Sequence, residues 1–456
     1  MNLQLVLLLA YAALLIAVGV VIGRRVTTTG AFFVAGRSLG PGLLFATVLA
    51  ANIGAGSTVN AAALGYRDGA AAWWWVGSAG LGSLVLALWI GPRMWRVAKE
   101  HDLATMGDYL DWRYGPAMRA AVTSLLWVGS LALLAVQLLA MAWILAAVAG
   151  VPKVTGCLIA GLVMTAYFVA GGLVSSAWVN LVQLVVLFAG FVVALPLAAR
   201  AAGGFAALHA AAPAADYWSF WQGGGSGPLE YLPLLLPAFF VSPGLIQKVY
   251  GARDARAVRL GVGVAAVVLM AFAVLPPLLG IAARALAPGL ANADMALPVL
   301  LAEHLPLAVG TLGLAAVLSA EISSADAILF MLATSLSRDL YRSFLRPAAS
   351  DRQVLAVARG AAVAAGALGV GLAVLMPQLL SGLMIFYSLL VVSLFVPVLA
   401  GLHTRAGTRQ VLPAIAAGVA VLLAARVAGW WNPTLLGIAA SAVVFGVAEL
   451  IRRARS

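Results

Sequence analysis

Charge is scarce in this chain. Of its 456 residues only 9% are Asp, Glu, Lys or Arg, while 64% are hydrophobic. A soluble domain does not look like this; the composition is that of a polytopic helical membrane protein folded as one bundle. Cysteine is scarcer still: Cys157 stands alone, which excludes an intramolecular disulfide. The four histidines, His101, His209, His304 and His403, form no HExxH pair, and there is no P-loop lysine-serine motif, so the chain is expected not to be an enzyme. A basic leader is missing too. Met1-Asn2-Leu3-Gln4 precedes the first apolar run and Arg24-Arg25 follows it, so the run reads as a retained span and not as a signal peptide. The net charge of +12 does not point to nucleic acid, because the basic residues sit in short loops between apolar runs.

About 20 apolar residues are needed to cross a bilayer. Thirteen stretches qualify: 3–22, 41–66, 70–92, 117–149, 154–170, 173–199, 229–249, 260–283, 306–336, 354–376, 379–402, 411–427 and 435–451. Threading the chain through them with the N-terminus outside leaves only Arg67, Lys153, Arg200, Arg284 and Arg426 on the outer side. The other 22 of the 27 Lys and Arg residues fall inside, as the positive-inside rule requires. The C-terminus is then cytoplasmic, in the inner (plasma) membrane of a bacterium-like cell. The largest outer loop, 201–228, carries Tyr217, Trp218, Phe220 and Trp221 beside Gly223-Gly224-Gly225 and reads as an interfacial lid or a mobile linker. The polar inner loop 99–115 is expected to form a short surface helix.

Within the second stretch, Asn52-Ile53-Gly54-Ala55-Gly56-Ser57-Thr58 interrupts an otherwise apolar run. Unsatisfied polar groups in hydrocarbon cost several kcal/mol each, and unwound backbone is tolerated only where protein or a water-filled cavity satisfies it. A broken helix there points to a transporter's binding site; a glycine-rich packing face is the plainer reading. The seventh stretch has its own interruption at Phe239-Phe240-Val241-Ser242-Pro243-Gly244, where proline removes a donor and glycine loosens the turn. Two interruptions, five spans apart and oppositely directed, fit an inverted repeat of spans two to six and seven to eleven. The domain division follows: 1–40 a leading helix and loop, 41–200 the first repeat, 201–228 the external loop, 229–403 the second repeat, and 404–456 two further helices and a tail.

The ninth stretch carries Ser319-Ala320-Glu321-Ile322-Ser323-Ser324-Ala325-Asp326 at its middle. Ionisable groups at that depth are functional candidates. At about 100° per residue Ser323 and Ser324 present adjoining faces, with Glu321 and Asp326 on the flanks. Hydroxyls and freed carbonyls offer oxygen to a hard cation such as sodium, as they do to calcium. The serines bonding to their own helix is the alternative. Glu321 has three readings: a glutamic acid hydrogen-bonded to a neighbouring helix, a partner for a bound cation, or a proton-coupling group. The first is the expectation.

Taken in order, these stretches resemble the sodium:solute symporter family. The matching residues are 50–58 in the second span, Gly171-Gly172 with Trp178 and Gln183 at the sixth, 243–248 in the seventh, and Ser323-Ser324-Ala325-Asp326 running on to Ser337-Arg338-Asp339-Leu340-Tyr341. The resemblance implies an all-α, leucine-transporter-type fold of about 13 transmembrane helices, a five-plus-five inverted repeat with two broken helices. It implies a sodium site formed by the carbonyls of Ala50, Ile53 and Ala320 and the hydroxyls of Ser323 and Ser324. It also implies a solute pocket near Asn52, Ser57, Trp73, Trp74, Trp75, Gln137, Phe239 and Phe240.

One departure stands out: where many members carry an aspartate at the sixth span, this chain has Asn180. With Asp326 and Glu321, Asn180 is a candidate coupling position, and its lost charge suggests one sodium per cycle. The expected function is sodium-coupled import of a small organic solute by alternating access. A proton-coupled or uncoupled carrier on the same scaffold is the alternative. The expected partners are the solute, sodium and the bilayer, with no nucleic acid and no obligatory protein partner.

Overall fold

The computed structural model describes residues 3–23, 37–171, 173–221 and 227–454. Among them are 10 helices long and apolar enough to cross a membrane, and Leu3–Leu15, Pro41–Asn52 and Lys153–Ala166 are shorter apolar helices. Gly172 and Gly223-Gly224-Gly225 lie outside the described residues. In chain order the elements before the external loop are α1 (Leu3–Gly23), α2 (Pro41–Asn52), α3 (Val59–Asp68), α4 (Trp73–Val85), α5 (Gly91–Glu100), α6 (Met106–Tyr114), α7 (Pro116–Ala149), α8 (Lys153–Gly171) and α9 (Leu173–Ala201). Then come α10 (Phe205–Ala210), α11 (Pro228–Val241), α12 (Pro243–Tyr250), α13 (Ala255–Phe272), α14 (Leu275–Leu286), α15 (Ala296–Glu303), α16 (Leu307–Thr334), α17 (Asp351–Leu375), α18 (Leu379–His403), α19 (Thr408–Val427) and α20 (Pro433–Ala454).

Local chemistry sets many of these boundaries. Pro41, Pro116, Pro228 and Pro243 sit in the first turn of their helices, where the missing N–H costs nothing. Thr105 and Asp108 close a reciprocal capping box that starts α6, the surface helix expected in loop 99–115. Both interruptions are present: residues 53–58 separate α2 from α3, and Ser242 alone (φ −55°, ψ 121°) separates α11 from α12. Three features go beyond the sequence reading. The eighth stretch is divided at Ala273 and Val274, ahead of Pro276-Pro277, into α13 and α14. A π-helical turn, Leu86–Ile90, joins α4 to α5, and another, Ser335–Leu345, extends α16.

The packing repeats itself. α9 lies against α2 and α16, as α18 lies against α11 and α7; α13 packs on α2 as α4 packs on α11; α7 pairs with α8 as α16 pairs with α17. α1 packs on α8 and α9, and the pair α19 and α20 packs on α18.

At one end of the bundle the aromatic segment after α10 covers α3 and α4. Tyr217 Oη lies 2.7 Å from the Gly65 carbonyl and 3.0 Å from that of Tyr66, and its own carbonyl accepts from Ala70 N–H at 2.9 Å. Phe220 and Trp221 pack on Trp74, whose indole N–H donates to the Phe220 carbonyl at 2.8 Å. The loop holds the position of a lid.

Beside it, Asp294 Oδ2 accepts from the Leu379 N–H at 2.9 Å and so caps α18 from the loop before α15. Burial pushes this carboxyl up to about 6, against the Leu379 bond and the charges of Arg67 and Lys153. A raised carboxyl favours the folded state most when neutral. Its contribution is complete below the ordinary value of 3.8 and is lost as the pH rises through about 6. Asp294→Asn keeps the acceptor and removes the titration. The expected result is a melting temperature above that of the wild type at pH 8 and equal to it near pH 4. Equal curves at both pH values would refute it.

Candidate functional site

The site forms where the break between α2 and α3 meets the middle of α16. Breaking a helix frees backbone donors and acceptors in equal number, and here they go to different partners. On the donor side, Gly54 N–H donates to Ser57 Oγ at 3.0 Å, and Ala55 N–H donates to Gln137 Oε1 on α7 at 3.0 Å. On the acceptor side, Ser324 Oγ lies 3.1 Å from the Ile53 carbonyl, and Ser323 Oγ lies 3.4 Å from that of Ala50 and 3.0 Å from that of Ala320.

Two sets of neutral oxygens thus lie at adjacent serines in the buried interior: Ser323 with the Ala50 and Ala320 carbonyls, and Ser324 with the Ile53 carbonyl. Two oxygens held about 2.4 Å from one hard cation and a right angle apart would be about 3.4 Å from each other. The Ser323–Ala50 separation has that size, whereas Ser323–Ala320 and Ser324–Ile53 are at hydrogen-bond distance, the former within the serine's own helix.

The close approach depends on Gly54. A Cβ at that position would fall 2.3 Å from Ser324 Oγ and 2.7 Å from Ser324 Cβ. Beside the oxygens, Glu321 is fully buried, and Thr58 Oγ1 lies 2.9 Å from its Oε1 and 2.9 Å from the Gly54 carbonyl. Glu321 therefore ties the start of α3 to α16. Asp326, also buried, lies within electrostatic reach of Lys248 on α12. Asn180 is on α9, and its side chain lies outside the described residues.

The proposed solute positions divide. Asn52 donates to Ser83 Oγ at 3.2 Å, and its Oδ1 is buried with no hydrogen-bond partner among the described residues. Trp74 serves the lid, whereas Trp75 meets the break, donating its indole N–H to the Gly56 carbonyl at 2.8 Å. Three adjacent tryptophans gave no signal for that choice. From the second break Phe239 packs against Tyr387 and Phe240 against Phe395, both on α18. Tyr387 also meets Trp75 and Phe386, so one ring cluster spans the two breaks. Ser57 and Gln137 are brought to the first break, where their oxygens serve its backbone.

At the end of the bundle away from the lid lies an ionic cluster that the sequence reading missed. Arg119 on α7 donates to Asp339 Oδ1 at 2.7 Å, Asp108 Oδ1 at 3.0 Å and Asp111 Oδ2 at 3.1 Å. Thr105 Oγ1 also donates to Asp339. A small, partly open cavity of about 30 Å³ adjoins the cluster between α6, α7, α12 and α16, with Thr123, Trp127, Gln247 and Thr334 in its wall.

The sequence matches the sodium:solute symporter family over residues 32–403. The chain belongs to that family. A curated member, the sodium/glucose cotransporter of Vibrio parahaemolyticus, is 25% identical over 405 residues, covering 78% of this chain and 72% of the relative. The sodium/pantothenate symporter of Escherichia coli (strain K12) is 27% identical over 368 residues, covering 76% and 74%. The solved structure of a Na⁺-coupled sialic acid symporter in a substrate-bound, outward-open state has the same fold. It superposes with a TM-score of 0.80 at 19% identity and covers 98% of both chains. As a family member with many apolar helices, the chain is a multi-pass membrane protein.

Proposed function

We propose that this family member imports a small organic solute coupled to sodium, by alternating access between two inverted five-helix repeats. The observation that carries this is the gathering of Ala50, Ile53 and Ala320 carbonyls with the Ser323 and Ser324 hydroxyls at a broken helix. Turning the hydroxyl protons away from the carbonyls offers a hard cation five oxygens without fixed charge. The solute sits beside them, between the breaks, with Asn52 and the rings of Trp75, Phe239 and Tyr387 around it. The recurring packing supports the repeat, since α2, α7 and α9 exchange for α11, α16 and α18. On this reading thirteen spans cross the membrane, with the N-terminus outside, the lid on the outer face and the Arg119 cluster on the cytoplasmic face. Glu321 braces the break, and sodium is the driving ion.

Glucose and pantothenate, which relatives carry by name, are the first solutes to test in proteoliposomes. Accumulation is expected only under an inward sodium gradient; accumulation that persists with potassium alone would overturn the coupling. Each hydroxyl is one of five ligands. Ser323→Ala and Ser324→Ala are each expected to raise the sodium concentration for half-maximal uptake about tenfold, with a folded, monodisperse protein. An unchanged value in both would remove the ion from this position.

A further inference from the structure

We infer that Ser57 and Gln137 are positioning residues for the ion: they take up the donors of the broken helix and thereby leave its acceptors to the cation. This rests on the ion site proposed above and goes beyond its five ligands.

A cation can use only carbonyl oxygens, yet an unwound segment frees N–H groups as well. Each freed N–H must find an acceptor or pay the full cost of burial unpaired. If the nearest acceptors were the segment's own carbonyls, donors and acceptors would cancel and no ligands would remain. For Gly54 and Ala55 N–H the structure avoids this with two side-chain oxygens, while the Gly54 carbonyl is spent on Ser57 and Thr58 N–H and the Ile53 carbonyl is spared. Ser57 Oγ accepts from Gly54 N–H, and Gln137 Oε1 accepts from Ala55 N–H, each at 3.0 Å.

The geometry of the peptide unit turns this into positioning. In a trans peptide the N–H and the preceding C=O point in opposite directions. Holding Gly54 N–H on Ser57 therefore aims the Ile53 carbonyl the other way, towards Ser324 Oγ 3.1 Å off. Holding Ala55 N–H on Gln137 likewise aims the Gly54 carbonyl at the N–H groups of Ser57 and Thr58, which lead into α3. Gln137 is 3% exposed within a long apolar helix, and Ser57 is 6% exposed. The Glu321 carboxyl also lies near Ala55 N–H, on the α16 side. Without Gln137 the peptide would turn towards it and draw the break out of register with the serines. Neither residue touches the ion; each acts through a peptide plane.

The test uses purified full-length protein in detergent and sodium alone, with potassium holding ionic strength constant and no solute added. The readout is the sodium concentration giving half of the thermal stabilisation. Ser324→Ala serves as the reference for a lost ligand. Ser57→Ala and Gln137→Leu are each expected to raise the midpoint about tenfold, because Gly54 N–H loses its acceptor in the first and the Gly54–Ala55 peptide turns towards Glu321 in the second. Gln137→Glu restores an acceptor at the same reach and is expected to leave the midpoint at or below the wild-type value. Gln137→Asn remains polar but falls one methylene short, and is expected to behave like Gln137→Leu; it carries the test should the leucine variant fail to fold.

Wild-type midpoints in Ser57→Ala and in the glutamine variants, beside a shifted Ser324→Ala, would overturn the positioning role and leave the ion site standing. So would variants whose only change is a raised KM for solute, the mark of direct solute contacts. A wild-type protein with no sodium-specific midpoint, or an unmoved Ser324→Ala, would overturn the ion site and this inference with it.

Discussion

Gly54→Ala is expected to abolish sodium-driven uptake at ordinary sodium concentrations. The added carbon would lie 2.7 Å from Ser324 Cβ and 3.1 Å from Gln137 Oε1. Ser324 Cβ is fixed to the backbone of α16, so no rotamer relieves the contact and the break must retreat from the helix. As it retreats, the Ile53 carbonyl leaves the Ser324 hydroxyl. Overpacking of this kind costs about 1–3 kcal/mol, or a sodium affinity weaker by about 10- to 100-fold. Gly56→Ala is the control. Its carbon would lie 3.3 Å from the end of the Leu383 side chain, which can swing aside, and 3.7 Å from Trp75 Nε1, an ordinary contact. Near-normal sodium dependence is expected there. Equal sodium dependence in Gly54→Ala and wild type would mean that the break and α16 do not form a joint site.

The largest loss of stability is expected at Arg119. This single guanidinium, 7% exposed, holds three aspartates: Asp108 and Asp111 from α6 and Asp339 from the extension of α16. With Arg119→Ala, Asp339 keeps Thr105 but faces Asp108 without the intervening cation. Removing one partner of a buried pair costs about 3–5 kcal/mol, chiefly because the other charge stays buried and uncompensated. A melting temperature lowered by several degrees in detergent, with or without sodium, is the measurement. The double variant Arg119→Ala/Asp339→Asn should recover part of the loss, since the orphaned charge goes too. If Arg119→Ala melts with the wild type, the cluster contributes nothing to the bundle.

These two sites differ in how far they were legible in the sequence. The first was plain: an amide, two glycines and two hydroxyls in an apolar run need partners wherever the chain lies, and Ser323-Ser324 offered them. Hydrophobic runs likewise placed the helices, because length and apolarity are properties of a segment by itself. The Arg119 cluster was not legible, since Arg119 and Asp339 are 220 positions apart and only tertiary packing makes them neighbours. Gln137 lay between. One amide inside a long apolar helix announced itself, but the family resemblance suggested a solute, whereas the structure turns its oxygen to the backbone of another helix. The division of the eighth stretch escaped notice because Pro276-Pro277 can sit within the first turn of a new helix as readily as in a loop.

One small contact near the start of α2 has a mechanical consequence. Leu39 N–H donates to the Gly251 carbonyl and the Leu39 carbonyl accepts from Arg253 N–H, both at 3.0 Å. The strand of chain leading into the first broken helix is therefore stitched to the strand leaving the second. Half-helices α2 and α12, which also pack together, are thus joined both along their sides and through the chain at their ends. α2 bears the Ala50 carbonyl, and α12 follows, across Ser242, the helix end that carries Phe239 and Phe240. On the alternating-access reading proposed above, opening at that end would be expected to move both half-helices as one body, and with them the ion and solute positions.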